Sequence, residues 1–151
     1  MTANDRFDLA RFVAAQDDCY AQALAELRAG RKASHWMWFM FPQFDGLGFS
    51  AMSRRYAIRS LDEARAYLDH EILGVRLREC TDAVNQLDGR SAHAIFGSPD
   101  DMKFRSSMTL FALAAGPDSA FAAALDKFFA GERDARTLEL AVSEKGPRSG
   151  F

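Results

Sequence analysis

Six consecutive large apolar residues, Trp36-Met-Trp-Phe-Met-Phe41, followed at once by Pro42, set the tightest limit on how this chain folds. Such a run shows no polar face to water and has to be enclosed. It lacks the alternation of a half-buried strand, and a lone buried strand would leave backbone N–H and C=O groups unpaired. A helix satisfies those groups internally. The run is therefore expected as a buried helix from His35 to Phe41, capped by Ser34. Pro42 ends it, because the residue before a proline is driven out of the helical region. Six residues are far fewer than the roughly 20 needed to cross a bilayer.

With 151 residues the chain fits one domain and can enclose such a segment without metals or disulfides. Its 13 phenylalanines and six methionines supply large, adaptable core side chains. The formal charge of −2 argues against an overall field that would hold a nucleic-acid backbone, so nucleic acid is not an expected partner. Its basic pairs, such as Arg31-Lys32 and Arg54-Arg55, read as solvated surface. Cys19 and Cys80 form no metal or redox motif and read as reduced thiols. The polar, acid-containing start does not look like a signal peptide, and a cytoplasmic location is expected, with no membrane partner.

Helix signals run along the rest. Leu9, Phe12 and Val13 share a helical face. Asp17 or Asp18 can cap a second helix that stops at Gly30. Ser60-Leu-Asp-Glu63 is a capping box. A helix from Ile72 to Leu87 precedes Gly89, and a short one from Ser91 closes at Gly97. Ser98-Pro99-Asp100-Asp101 is the strongest start signal, with Ser98 as cap, Pro99 in the first turn and two acids at the positive helix end. That helix should reach Ala115. Pro117 opens another through Phe129, and Asp134 caps a last one to Val142. The sum is an all-α, compact multihelical single domain of about seven to nine short helices. Residues 7–142 form its ordered core and 143–151 a loose tail.

Two segments carry groups with chemistry. In the first, Arg31 and Lys32 precede the aromatic run, and His35 stands beside Trp36 and Trp38. An imidazole walled by indoles would be dry, its proton affinity readily moved, and usable as an acid, a base or a ligand contact. The plain alternative is a hydrogen-bonded core histidine among core tryptophans. In the second, Lys103, Ser106 and Ser107 share one face of the Asp100 helix, and Arg105 and Thr109 form a neighbouring pair. A lysine and a serine so spaced can form a base and a nucleophile. Small serines at a close helix crossing are the alternative. With three histidines, His35, His70 and His93, at no ligand spacing, no metal site is expected, and no cofactor motif is present.

The stretch from Gly30 to Gln43, with Gly46-Leu-Gly-Phe-Ser50, Tyr56-Ala-Ile58, Leu73-Gly-Val-Arg-Leu77 and Ile95 to Phe111, resembles the bacterial family catalogued as domain of unknown function 1810. The resemblance spans about Phe7 to Phe129. Glu71 departs from it, where the pattern has a proline. It implies a compact multihelical fold and carries no activity, cofactor or catalytic residue. Some members bear the name of a calpain inhibitor, calpastatin. Such inhibitors are disordered and poor in aromatics, unlike this chain.

Two functions stay open, and with them whether the chain is an enzyme. One is a small-molecule site for a phosphate-bearing or nucleotide-like ligand. Its walls would be Arg31, His35, Trp36, Trp38, Gln43 and Ser50 on one side and Lys103, Arg105, Ser106 and Ser107 on the other, with His35, Lys103 and Ser107 as catalytic candidates. The other is a non-catalytic interaction or structural module whose polar groups close on one another. The first requires the two segments to be neighbours in space.

Overall fold

The computed structural model describes residues 5–149, with side chains through Val142. Ten helices follow in order: α1 Ala10–Asp17, α2 Tyr20–Ala29, α3 Met37–Met40, α4 Ala51–Arg55, α5 Leu61–Asp69, α6 Leu73–Asn85, α7 Ala92–Phe96, α8 Asp100–Ala115, α9 Ala120–Phe129 and α10 Ala135–Ser149. The fold is all-α, one helix beyond the expected range. The additional helix is α4, five residues long and too short to show apolar periodicity. Ser50 caps it by accepting from the Ser53 N–H at 3.1 Å. Beside it, Phe44 and Ile58 form an isolated parallel bridge.

The local signals hold where the capping group is not claimed by anything else. Ser60 accepts from the Glu63 N–H at 3.0 Å, while Glu63 reaches back to the Arg59 N–H at 2.9 Å. Ser91 caps α7, and Asp134 accepts from the Thr137 N–H at 2.9 Å; Ser119, which carried no expectation, caps α9. Gly30 ends α2 with φ of 79°. Elsewhere the ends move. Ser34 does not cap α3, because its hydroxyl is committed to Glu26 at 2.5 Å; the helix starts at Met37. Cys19, not Asp17 or Asp18, precedes α2. Pro99 itself is the residue before α8, and Ser98 lies outside it. α9 begins at Ala120, after Pro117. α10 continues to Ser149. The tail expected over 143–151 falls largely on side chains, and at 150–151 on backbone, outside the described residues.

α8 is the middle of the bundle, packed against α5, α7, α9 and α10. Phe104, Met108, Leu110 and Phe111 on it are fully buried. Phe104 stacks on Phe96 at 4.5 Å between ring centroids, and Phe41 meets it edge-on at 5.1 Å. Phe41 thus carries the aromatic segment onto α8, and its burial is what the sequence required. Gln16, 1% exposed, fixes the other side of that segment. Its amide donates to the Phe39 carbonyl at 2.7 Å and lies 3.0 Å from the Tyr67 hydroxyl. α6 crosses α5 closely at Gly74, where a Cβ would lie 2.0 Å from the Leu68 carbonyl oxygen.

Two outcomes follow for stability in urea. Phe104→Ala should cost about 3–5 kcal/mol, as a deleted buried ring leaves a cavity. Gly74→Ala should cost about 1–3 kcal/mol by overpacking, although alanine is the better helix former.

Candidate functional site

The loop from Gly30 to Trp36 is tied to one carboxylate. Glu26, on the last turns of α2, accepts from the Ala33 N–H at 2.8 Å, the Ser34 N–H at 3.1 Å and the Trp36 indole N–H at 2.9 Å. The Ser34 hydroxyl and the Gln22 amide bind its other oxygen. Burial alone would raise the Glu26 carboxyl, but these donors outweigh it and hold it down at about 2. The loop is tied from the opposite side as well. The Lys32 N–H donates to the Ile95 carbonyl at 2.7 Å, and the Arg90 guanidinium donates to the Gly30 carbonyl. Trp36 is consequently buried, at 1% exposure, with its one polar atom satisfied.

This brings the two chemistry-bearing segments together. The Asp100 carboxylate, in the first turn of α8, lies 2.9 Å from the Lys32 ammonium and 3.4 Å from that of Lys103. The Lys32 side chain is only 9% exposed. It also donates to the Ser34 carbonyl at 2.7 Å and sits 5.1 Å from the centre of the Trp36 ring. Lys103 stands 5.4 Å from the centre of Trp38, whose indole is half-buried. Two ammonium groups thus share one carboxylate beside two indoles. The neighbouring acid, Asp101, faces His93 at 3.6 Å.

The remaining residues divide differently from the two walls read in the sequence. His35 is exposed rather than enclosed by its flanking tryptophans, and Arg31 is exposed as well. Ser50 belongs to the α4 cap, its hydroxyl 2.8 Å from that of Ser53. The carbonyl of half-buried Gln43 accepts from the Ile58 N–H at 2.9 Å. Arg105 turns toward the turn before α10, donating to the carbonyls of Glu132 and Arg133 and pairing with Glu132 at 2.8 Å. Ser106 lies 3.0 Å from the Thr137 hydroxyl, which donates to Asp134 at 2.6 Å. Thr109 accepts from the Asp134 N–H at 2.9 Å. Ser107 is fully buried and its hydroxyl has no hydrogen-bond partner among the described residues, Lys103 included.

Sequence reasoning passed over Asp100 and Glu26 as site-forming groups. Asp100 read as a helix-start charge, which it also is. Glu26 carried no signal, since an acid on an amphipathic helix looks like any surface acid. It missed a cleft as well. Arg6, Phe7 and Asp8 before α1, Arg11 on it, Ala51, Arg54 and Arg55 on α4, and Arg59, Ser60 and Glu63 at the start of α5 enclose about 590 Å³. Cys19 and Cys80 are both unpaired. Among the described residues, no group of three or more His, Cys, Asp or Glu could hold a metal ion, and no helix is long and apolar enough to cross a membrane.

Comparison with known proteins places this architecture. The family model described as "Protein of unknown function (DUF1810)" matches residues 6–141. The crystal structure of the conserved hypothetical protein Rv1873 from Mycobacterium tuberculosis superposes with a TM-score of 0.90 at 56% identity, covering 91% of this chain and 99% of that one. No relative among curated proteins matches.

Glu26→Gln tests the loop anchor. It should lower stability by about 1–3 kcal/mol at neutral pH, because each of the five donors either loses a charged acceptor for a neutral one or faces a new donor. The folded carboxyl titrates at about 2 against an ordinary 4.5, so its contribution is complete above pH 4.5 and fades as pH falls toward 2. Thermal melts across that window should show the wild type losing more stability than Glu26→Gln.

Proposed function

The chain belongs to the DUF1810 family of proteins of unknown function, and from its own geometry we propose that it binds a phosphate-bearing or nucleotide-like small molecule where Lys32, Asp100 and Lys103 meet Trp38. One observation carries this reading: two ammonium groups share a single carboxylate, so one positive charge has no partner within the cluster. The Lys103 side chain is 27% exposed and is the one that can turn to an incoming anion, while Lys32 remains fixed by Asp100 and Ser34. A phosphate gains a charge-assisted contact there. The half-buried face of Trp38 offers a surface on which a base can stack. Arg105, Ser106 and Thr109 have no part in this site, because their bonds are spent on α10.

A second reading, a non-catalytic structural or interaction module, has an observation of its own. Ser106, Thr109 and Thr137 are buried, and they and half-buried Asp134 bond to one another.

Thermal shift with AMP, NAD, a sugar phosphate, inorganic phosphate and adenosine separates the two. A ligand at a hundred times its dissociation constant adds about 2.7 kcal/mol. AMP should stabilise the protein more than adenosine does, and Lys103→Gln should remove that difference. Trp38→Leu should weaken AMP and leave inorganic phosphate unchanged. Absence of any shift from all phosphate compounds overturns the ligand reading and leaves the module.

A further inference from the structure

The cleft between the start of α1, α4 and the start of α5 is independent of the lysine cluster and shares no residue with it. Five guanidinium groups line it, from Arg6, Arg11, Arg54, Arg55 and Arg59, against two carboxylates, Asp8 and Glu63. A chain of net charge −2 thus concentrates an excess of three positive charges in one concavity. The groups are not equivalent. Arg11 is structural: it pairs with Glu63 at 3.0 Å and donates to the carbonyls of Phe7, Asp8, Arg55 and Ala57. Glu63, 3% exposed, is consumed by Arg11 and by the Arg59 N–H. These two form a neutral, rigid floor.

The rim is cationic and largely uncommitted. Arg55 touches the Tyr56 hydroxyl at 3.3 Å, and Arg6 lies over the Phe7 ring at 4.5 Å. Among the described residues the side chains of Arg54 and Arg59 make no hydrogen bond or ion pair, and both are exposed. Like charges gathered around one opening repel each other, and a multivalent anion relieves that repulsion.

We propose that this cleft is a binding site for a small polyphosphate, a molecule carrying two or more linked phosphate groups. Guanidinium forks present parallel N–H donors that match phosphate oxygens two at a time, and linked phosphates can engage several forks at once. A volume of about 590 Å³ is the size of a small-molecule site. The net acidic surface outside the cleft disfavours a long nucleic-acid strand, which would have to lie across it.

Calorimetric titration of the full chain with inorganic tripolyphosphate and with monophosphate tests this. Tripolyphosphate should bind at least about tenfold more tightly than monophosphate, with affinity that falls as salt rises. Arg54→Gln together with Arg59→Gln should weaken tripolyphosphate by about tenfold or more and leave the melting temperature of the free protein near that of wild type, since both side chains are exposed. Each titration is made in the Lys103→Gln background, which removes the phosphate contact of the lysine cluster, so that the binding read is that of the cleft whatever the fate of the other site. The proposal is overturned by no measurable tripolyphosphate binding, by equal binding of mono- and tripolyphosphate, or by binding that survives the double substitution. It is overturned equally if a single-stranded RNA oligonucleotide binds the cleft more tightly than tripolyphosphate does.

Discussion

A single carboxylate decides whether the most apolar segment of this chain can be buried. Trp36 brings an indole N–H into the interior, while the N–H groups of Ala33 and Ser34 stand in the exposed and half-buried loop before it. Left without an acceptor, the buried indole N–H would cost roughly 1–3 kcal/mol. Glu26 receives all three and the Ser34 hydroxyl as well. The loop then has one shape, and that shape delivers Lys32 to Asp100 on one side and Phe41 to Phe104 on the other. The aromatic core and the lysine cluster are two consequences of the same anchor.

α8 reconciles demands that propensity alone would set against each other. Serines and threonine are poor interior helix residues because they compete for backbone bonds. Here Thr109 does bond the carbonyl of Arg105 four residues back, and its oxygen also receives the Asp134 N–H. Ser106 passes a bond on to Thr137 and thence Asp134. The hydroxyl face of α8 thus holds the start of α10, while Phe104, Met108 and Phe111 face the aromatic side of the core. Tertiary contacts use the residues that local preference would have moved elsewhere.

What the sequence made legible is local. Ser60, Ser91, Asp134 and Gly30 act within a turn of where they stand, so their roles can be read without knowing the fold. The enclosure of Trp36 to Phe41 was legible too, because a run with no polar face has few alternatives. Ser34 shows the boundary: its cap role was locally reasonable, but Glu26, eight residues away, binds its hydroxyl first. Arg11 and Glu63 are 52 residues apart, and no pattern in the chain pairs them. α4 escaped because five residues hold little more than one turn.

The candidate site divides along the same line. That Lys103 and the tryptophan segment belong together could be suspected from residue chemistry. Which polar groups stay available is set by partners that only folding supplies. Arg105 and Lys103 are two residues apart on α8, yet they lie on different faces. One is consumed by the turn before α10, and the other shares Asp100 with a second lysine. The same division operates in the arginine cleft, where Arg11 is fully bonded and Arg54 and Arg59 are not. Counting basic residues in the sequence treats all of these alike. The few charges that the fold leaves under-compensated are the ones on which a binding proposal can rest, because a charge already fully paired inside has to give up that pairing before it meets a ligand.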